Sequence, residues 1–337
     1  MVGSVSVYST RYFCTYFDSN YLSRALALHA SLRRVCPDFR LFALCHDEKS
    51  FSHLKQLNLD DFVPIQSSEF EKEDSALQAA RSNRAAIEYY FTCTPSFCLY
   101  VFNRFPEVDL LTYLDADLFF FSSPQHIFTE MGDASIAIIE HRFSLLARHL
   151  EKYGRYNVGW LSFRRDTTGI ACLTRWRNQC LEWCGDYLGS DRFADQKYLD
   201  DWTTVFSNVR VIRNIGANVA PWNIANYRVA SSNGAVSVSG KPLVFFHFAS
   251  LKEIRPWLYR MNMAGYYTFA SKHIRQNIYA PYVRELKHFG MVGTIRNRAP
   301  GKKLLISSLP KRLKIMARDA RSLIFFDYLV FFKNRFF

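Results

Sequence analysis

Short apolar segments alternate with segments of helical periodicity through the first third of the chain. Helical spacing of apolar residues runs over residues 22–32 and 76–91. Strand-like apolar runs surround these two segments, at residues 5–16, 39–45, 62–65 and 110–117. The alternation predicts an α/β fold, in which a mostly parallel sheet is flanked by helices and ligands bind beyond the carboxyl ends of the strands. Further strands are predicted at residues 134–139, 160–163, 209–212 and 243–248, and further helices at 145–153 and 170–188.

Two aspartates follow the strand that begins at Leu110. Asp115 and Asp117 come directly after the apolar run Leu110–Leu114, and on an extended backbone their side chains would face the same side. Two carboxylates in that position suit Mg²⁺ or Mn²⁺, which take oxygen ligands and leave further positions to water and a diphosphate. A solvated turn is the alternative interpretation, since Asp is common in turns. The position after a buried strand favours the cation site.

The chain is long and apolar enough for one large domain. Its 337 residues are 49% hydrophobic and 22% charged, which excludes a disordered chain. No repeat, low-complexity tract or Gly/Ser linker interrupts residues 1–290, and we expect them to form a single domain. Aromatic residues reach 16%, which favours contact with carbohydrate or a membrane interface, although aromatics also fill large cores.

Basic residues are concentrated near the C-terminal end. Residues 296–335 contain eleven Lys or Arg and two Asp, so they carry most of the net charge of +13. The rest of the chain is only mildly basic, which disfavours a nucleic-acid-binding surface. After Pro310, basic residues alternate with an apolar stripe at helical spacing: Leu313, Met316, Ala317, Ala320, Leu323 and Ile324. The pattern predicts that residues 291–337 form a tail that lies on an anionic membrane. Packing on the domain or on a dimer partner is the alternative.

The cysteines and the N-terminal residues favour a cytosolic protein. The eight cysteines are scattered, mostly among apolar neighbours, and none forms a Cys-x-x-Cys pair, so we expect reduced, buried thiols. The first residues lack the basic start and apolar run of a signal peptide. No segment reaches the ~20 apolar residues that span a bilayer.

Four separated pieces of sequence match one family pattern. They occur in this order: Tyr113–Asp117, Asn157–Gly159, Asp195–Gln196 and Phe246–Lys252. Over roughly residues 8–260 the chain resembles the nucleotide-diphospho-sugar transferases with the GT-A fold. It is most similar to the retaining, metal-dependent type that includes glycogenin, galactinol synthase and bacterial lipopolysaccharide galactosyltransferases. The specificity of the match lies in the order and spacing of the pieces.

The resemblance implies roles for individual residues of this chain. It implies that Asp115, Asp117 and His247 hold a divalent cation, usually Mn²⁺, which in turn holds the diphosphate of a UDP-sugar. Gln196 would lie near the anomeric carbon, and Asp195 would hold hydroxyls of the donor hexose. Eight residues would contact the donor: Phe17, Asp18, Arg84, Asp115, Ala116, Asn157, Gly159 and Lys252. The pair Trp222-Asn223 resembles a late element of the family.

The sequence departs from the family pattern in two places. The end pattern reads Ala249-Ser250-Leu251-Lys252-Glu253, with Pro256-Trp257 later than usual, and Lys197 follows Gln196 where a second aspartate is common. The resemblance implies a retaining transfer of glucose or galactose from a UDP-sugar to a glycan acceptor. A protein peripheral to the inner face of a membrane meets lipid-linked glycans, so a bacterial lipopolysaccharide or surface-polysaccharide precursor is the expected acceptor.

Two other function classes compete with this interpretation. A sugar- or glycan-binding module on a degenerate transferase fold is disfavoured, because Asp115, Asp117, His247 and Gln196 are all present. A nucleotidyltransferase that makes the activated sugar would need a Gly-rich phosphate loop after the first strand. The junction Thr15–Leu22 contains no glycine.

Overall fold

The computed structural model describes residues 10–290, 318, 320–332 and 335–336. A central sheet has the strand order β3-β2-β1-β4-β7-β6-β8. Its strands are β1 (Arg11–Phe17), β2 (Phe39–Cys45), β3 (Phe62–Gln66), β4 (Leu110–Leu114), β6 (Ile136–Glu140), β7 (Tyr156–Arg164) and β8 (Val209–Ile212). Smaller sheets contain β5 (Leu118–Phe120), β9 (Val229–Ser232), β10 (Ala235–Val238), β11 (Lys241–Pro242), β12 (Phe245–His247), β13 (Lys252–Arg255), β14 (Leu258–Arg260), β15 (Tyr328–Phe332) and β16 (Arg335–Phe336).

Helices cover both faces of the central sheet. They are α1 (Leu22–Val35), α2 (Glu48–Leu57), α3 (Ser67–Lys72), α4 (Ser75–Ser82), α5 (Ala86–Arg104), α6 (Gln125–Met131), α7 (Thr167–Glu182), α8 (Trp202–Val205), α9 (Lys272–Ile274) and α10 (Ala280–His288). Short 3-10 helices span Leu145–Tyr153, Lys197–Asp201, Ile224–Asn226 and Ala264–Tyr266, and a π-helix spans Arg275–Tyr279. The predicted helix over residues 76–91 is therefore two helices, α4 and α5, which the segment 83–85 separates. No helix in the described part of the chain is long and apolar enough to cross a membrane.

The predicted α/β fold with a mostly parallel sheet is confirmed. Strands β1, β2, β3 and β4 are mutually parallel where they pair, whereas β7 is antiparallel to both β4 and β6. The segment Asn157–Gly159 was predicted to precede a strand that begins at Trp160, but it lies inside β7. Asn and Gly have low strand propensity, and the pairing of β7 with both neighbours overrides that preference. As a result, these residues lie beside the end of β4.

A two-stranded sheet brings a distant histidine to the end of β4. Strand β5 begins directly after the two aspartates and pairs antiparallel with β12, with His247 opposite Leu118. The Phe248 amide donates a hydrogen bond to the Asp117 carbonyl oxygen at 3.0 Å. The apolar side chains of both strands are buried, and the stacked rings of Trp160 and Phe245 join this pair to the central core. The fold itself therefore places His247 next to Asp117.

All eight cysteines lie within the described residues and are free and buried, as the sequence predicted. Burial raises the pKa of several of these thiols, with Cys36 at about 11 and Cys45 at about 12. Thiols of this kind are packed as small apolar groups and are poor nucleophiles, because the reactive thiolate is disfavoured.

The last described residues pack on the folded body. Strand β15 pairs antiparallel with β14, and Leu329 is fully buried in the cluster that contains Tyr259 and Tyr282. Asp327 is also buried and accepts a hydrogen bond from the Met263 amide at 2.5 Å. The predicted amphipathic helix begins at Pro310, and its residues 310–317 and 319 lie outside the described residues. Arg318 and residues 320–324 are helical, with Leu323 and Ile324 exposed.

Replacing Leu329 by Ala tests whether this segment is part of the cooperative fold. The change would leave a cavity in a fully buried site, and we expect the free energy of unfolding to fall by about 3 kcal/mol. Urea unfolding monitored by circular dichroism measures the effect, with the exposed residue Leu323→Ala as the matched control. Equal stability of the two variants would mean that β15 detaches without cost.

Candidate active site

Asp115, Asp117 and His247 form a cluster at the carboxyl end of β4. One ligand atom from each residue lies within 4.8 Å of the other two. The His247 Nε2 atom is 3.1 Å from the Asp117 Oδ1 atom and 3.5 Å from the Asp115 Oδ2 atom. The aspartates do not lie on extended backbone as predicted: they sit in a turn closed by the Leu118 amide, which donates to the Asp115 carbonyl oxygen at 3.2 Å. The turn and His247 together bring the carboxylates to one point.

The electrostatics of the cluster favour a bound cation. Removal from water raises the pKa of Asp115. Burial also acts to raise the pKa of Asp117, but His247 and Arg24 outweigh it and hold that pKa below its usual value. Burial lowers the pKa of His247, yet the two carboxylates reverse this and raise it. A divalent cation would replace the proton of His247 and neutralise both carboxylates. Two carboxylates and an imidazole are a donor set that Mn²⁺ accepts.

Two hydrogen-bonded groups of the β7 strand lie against His247. The Asn157 Oδ1 atom is 3.3 Å from the His247 Nδ1 atom and accepts from the Gly159 amide at 3.1 Å. A Cβ atom at Gly159 would lie 2.7 Å from Asn157 Oδ1 and 2.9 Å from His247 Nδ1, closer than such contacts allow. The absence of a Cβ atom at Gly159 therefore allows Asn157 and His247 to pack closely against the β7 backbone.

Asp195 lies in a buried polar wall beside the aspartate cluster. Its Oδ2 atom accepts a hydrogen bond from the Thr94 hydroxyl at 2.8 Å, and its carbonyl oxygen accepts from the Trp176 indole at 2.8 Å. The Tyr113 hydroxyl donates to the Asp115 Oδ1 atom at 2.9 Å, and the Tyr16 ring lies against Tyr113. Burial, with a smaller contribution from Asp115, raises the pKa of Asp195 to about 7.

The raised pKa of Asp195 predicts a pH-dependent stability. An unfolded aspartate has a pKa near 3.8, so the neutral carboxyl stabilises the fold fully below about pH 4 and this contribution is lost as the pH rises to about 7. Asp195→Asn places a neutral amide at this position, so the variant does not lose this stability as the pH rises. We expect the free energy of unfolding of the variant, relative to that of the wild type, to increase between pH 5 and pH 8. The increase should be about 1.4 kcal/mol per pH unit below pH 7.

Urea unfolding of the metal-free proteins at pH 5 and pH 8 measures this gain. Asp191→Asn is the matched control, because Asp191 is exposed in the same loop region. Parallel pH profiles for wild type and Asp195→Asn would show that Asp195 titrates normally.

Gln196 faces the same region from the other side. Its Nε2 atom donates to the Tyr153 carbonyl oxygen at 3.1 Å, and its Oε1 atom lies 3.5 Å from the Asn157 Nδ2 atom. The 3-10 helix Leu145–Tyr153 therefore fixes the orientation of the Gln196 amide. Lys197, at the position where a second aspartate is common, pairs instead with Asp200 at 2.8 Å.

The residues predicted to meet the nucleoside lie at the ends of β1 and β2. Asp18 is partly buried and lies 3.5 Å from the Tyr90 hydroxyl, and the Tyr90 ring stacks on His46 with centroids 4.1 Å apart. The Phe17 side chain is buried against Phe62 in the core, so only its backbone borders this region. Burial lowers the pKa of His46 to about 3, and its Nε2 atom has no hydrogen-bond partner.

Of the other residues predicted to contact the donor, Ala116 lies between the two aspartates, whereas Lys252 and Arg84 lie on other elements. Ala116 is buried in the turn between the aspartates, and Lys252 is partly buried at the start of β13. The structure does not bring the Arg84 guanidinium to the aspartates. It donates to the Cys180 carbonyl oxygen at 2.6 Å and also contacts Leu181 and Thr92, so it joins α5 to α7.

Sequence reasoning missed two buried side chains near the cluster. Arg24 of α1 is buried, stacks on the Tyr21 ring and donates to the Leu251 carbonyl oxygen at 2.8 Å. It lies near enough to Asp117 to lower that pKa, and it connects α1 to the loop that leads to Lys252. His141, after β6, is 3.2 Å from the Asn157 Nδ2 atom. Both residues occur in ordinary helix and strand-end contexts, so no local sequence signal marked them.

The chain is similar in sequence to two proteins of Bacillus subtilis strain 168. The chain is 32% identical to YfnD, an uncharacterized protein of Bacillus subtilis strain 168, over 284 residues that cover 83% of this chain and 90% of YfnD. It is 34% identical to YfnF, an uncharacterized protein of the same strain, over 256 residues that cover 72% of this chain and 82% of YfnF. No family model matches the chain.

Solved structures that are similar to this chain are glycosyltransferases. LgtC, described as a galactosyltransferase in complex with donor and acceptor sugar analogs, is 15% identical, with a TM-score of 0.46 over 84% of this chain and 97% of LgtC. Mouse xyloside xylosyltransferase 1 is 12% identical, with a TM-score of 0.43 over 63% of this chain and 88% of that protein. The bifunctional WbbM is 13% identical, with a TM-score of 0.49 over 83% of this chain and 50% of WbbM. The mostly parallel sheet agrees with the predicted α/β architecture, and the aspartate pair lies at the carboxyl end of β4.

Proposed function

We propose that this chain, which belongs to the same protein family as YfnD and YfnF of Bacillus subtilis, is a metal-dependent glycosyltransferase. It would move glucose or galactose from a UDP-sugar to a glycan acceptor with retention of the anomeric configuration. One observation carries the proposal: Asp115, Asp117 and His247 converge within 4.8 Å beyond the carboxyl end of β4. This is where ligands bind in open α/β sheets.

Asp115, Asp117 and His247 would hold Mn²⁺ or Mg²⁺. When bound, the cation stabilises the negative charge that develops on the diphosphate of the departing UDP. Lys252 follows His247 closely in sequence and would add a positive charge near the same phosphates. Asp18, with the ring pair His46 and Tyr90, would border the nucleoside.

Asp195 and Gln196 would contact the donor hexose. The Asp195 carboxyl accepts a hydrogen bond from Thr94 through its Oδ2 atom, and a carboxyl group can accept further hydrogen bonds from sugar hydroxyls. The Gln196 Nε2 atom donates to the Tyr153 carbonyl oxygen, and this orientation turns the Gln196 amide oxygen toward the Asn157 Nδ2 atom. We assign Asp195 no covalent role, because a pKa of about 7 makes it a carboxyl that is only partly ionised at neutral pH. Attack by the acceptor from the leaving-group side and attack by a carboxylate both stay open.

A panel of nucleotide sugars tests this function. Hydrolysis is measured with Mn²⁺ and with EDTA, and NMR follows which anomer of the free sugar appears first. We expect metal-dependent hydrolysis of one UDP-hexose with the α-anomer first. If no nucleotide sugar reacts and UDP does not bind with any metal, the chain is a sugar- or glycan-binding module instead.

We also propose that the protein is peripheral on the inner face of a membrane and meets a lipid-linked surface-glycan precursor. The support is an exposed apolar and basic surface formed by Tyr267, Phe269, Leu323, Ile324 and Phe326, with Arg275 over Phe326 and Arg321 over Tyr267. The side chains of Leu323, Ile324 and Phe326 are 68%, 64% and 60% exposed. Apolar side chains next to arginines suit the interface of an anionic bilayer.

Vesicle sedimentation tests this surface. Wild type is expected to bind vesicles that contain phosphatidylglycerol, and the double variant Leu323→Glu with Ile324→Glu is expected to bind at least about tenfold less, since apolar burial is lost and charge is reversed. Val205→Glu, at an exposed apolar residue of α8, is the control. Equal binding by the double variant would assign this surface to another contact.

A further inference from the structure

We propose that His141 and Asn157 are positioning residues, which fix the proton of His247 on Nδ1 and leave its Nε2 atom as a metal ligand. The proposal rests on the proposed function for the presence of a cation in the site. Asn157 was expected to contact the donor sugar, and nothing in the sequence singled out His141. The hydrogen bonds that connect the three side chains determine where each proton lies.

The orientation of the Asn157 amide is fixed by a backbone group. The Gly159 amide can only donate, and it lies 3.1 Å from one terminal atom of the Asn157 side chain. That atom must therefore be the amide oxygen, because an NH₂ group would place two donors against each other. The other terminal atom is then the nitrogen, which donates. The close approach of Gly159 is possible only because the residue has no Cβ.

The fixed amide determines the protonation of both imidazoles. The Asn157 oxygen is 3.3 Å from the His247 Nδ1 atom, so Nδ1 must carry a proton, and the Nε2 atom on the carboxylate side can present its lone pair to a cation. The Asn157 nitrogen is 3.2 Å from the His141 Nε2 atom, which must accept. The proton of His141 then lies on Nδ1, 3.2 Å from the Arg155 carbonyl oxygen. Every donor in this series faces an acceptor.

Neighbouring groups hold His141 in place at the end of the hydrogen-bonded series His247–Asn157–His141. Its ring stacks on Phe143 with centroids 4.7 Å apart and meets the edge of Trp222 at 5.2 Å. Its carbonyl oxygen accepts from the Asn223 Nδ2 atom at 2.7 Å, and its own amide donates to the Arg155 carbonyl oxygen at 2.9 Å. Burial lowers the pKa of His141 to about 3, which keeps the ring neutral and its Nε2 atom an acceptor. Trp222 also packs edge-on against His247 and restricts rotation of that ring.

Two variants separate positioning from simple packing. His141→Phe keeps an aromatic ring beside Phe143 but removes the acceptor for Asn157. Asn157→Asp keeps the acceptor for Gly159 and His247 but places a carboxylate oxygen where the Asn157 nitrogen now faces His141. His29→Phe is the matched control, because His29 is another buried histidine, stacked on Phe62 and away from the site.

The first measurement is Mn²⁺ affinity by electron paramagnetic resonance of the free ion, with no sugar donor present. We expect His141→Phe to bind Mn²⁺ at least about tenfold more weakly than wild type, as is typical when the partner of a ligating histidine is lost. His29→Phe should bind as wild type does. Unchanged affinity in a folded His141→Phe variant would overturn the proposal. Failure of the wild type to bind Mn²⁺ would instead overturn the metal site of the proposed function.

The second measurement is the tautomer of His141 in the metal-free protein, read from ¹⁵N NMR of the imidazole. Wild type is expected to carry its proton on Nδ1 with Nε2 unprotonated, and Asn157→Asp is expected to protonate Nε2. Wild-type His141 with a proton on Nε2 would overturn the proposal whatever the affinity data show. This readout does not need a bound cation or an active enzyme, and it decides the question even if His141→Phe fails to fold.

Discussion

Replacing Asp117 by Asn is expected to lower the rate of sugar transfer by about 10²–10³-fold. The Asp117 carboxylate lies 3.1 Å from His247 and is kept ionised by His247 and Arg24, so it supplies the most persistent negative charge in the cluster. An amide of the same size keeps the packing but removes that charge, and the cation would bind less well and stabilise departing UDP less. Activity is measured as release of UDP from the donor identified in the nucleotide-sugar panel.

The fold of this variant must be checked beside its activity. Circular dichroism and urea unfolding should show a structured protein, because removal of the Asp117 charge also removes its repulsion with Asp115. Asp60→Asn serves as the matched control, because Asp60 is an exposed aspartate in the loop between α2 and β3. This variant should transfer sugar at the wild-type rate. Wild-type activity in a folded Asp117→Asn protein would exclude the aspartates as metal ligands.

Replacing Gly159 by Ala is expected to lower both the affinity for Mn²⁺ and the free energy of unfolding. The added Cβ atom would meet the Asn157 oxygen at 2.7 Å and the His247 ring at 2.9 and 3.0 Å, so one of the two side chains must move. Both belong to the hydrogen-bonded series at the cluster. We expect a loss of Mn²⁺ affinity of at least about tenfold, together with a fall in the free energy of unfolding of about 1–3 kcal/mol.

Mn²⁺ titration and urea unfolding measure the two effects separately. Gly189→Ala is the control, since a Cβ atom there would meet its neighbours at 3.4 Å or more, which is ordinary contact. If Gly159→Ala bound Mn²⁺ as tightly as wild type, the packing of Gly159 against His247 would have no bearing on the metal.

The sequence alone predicted the part of the fold that depends on local pattern. Strands β1 to β4 follow from short apolar runs, and the aspartates were found because two carboxylates directly follow β4. The two aspartates do converge, but not because they share one side of an extended strand as predicted. The residues lie in a turn, and they converge because β5 returns alongside β12 and carries His247 into place. The partner of β5 is more than a hundred residues away, beyond the reach of a local pattern.

The roles of Asn157 and His141 were inaccessible to sequence reasoning for the same reason. Asn157 was predicted to precede the strand that begins at Trp160, because Asn and Gly rarely occupy the middle of a strand. Its position becomes meaningful only once β7 lies between β4 and β6, with His141 at the end of β6 on one side and His247 on the other. His141 appeared as one polar residue after an apolar run.

Strand β15 also bears on how the C-terminal residues can be removed. It pairs with β14 and covers an edge of the sheet that begins with Lys252, and Leu329 and the preceding Asp327 are buried against the body. A chain shortened at residue 310 would expose the backbone donors and acceptors of β14 and the apolar surface beneath Leu329. Open strand edges of this kind self-associate. Aggregation of such a shortened protein would thus be an effect of the uncapped edge, and point substitutions on the exposed helix are the cleaner way to study attachment to lipid.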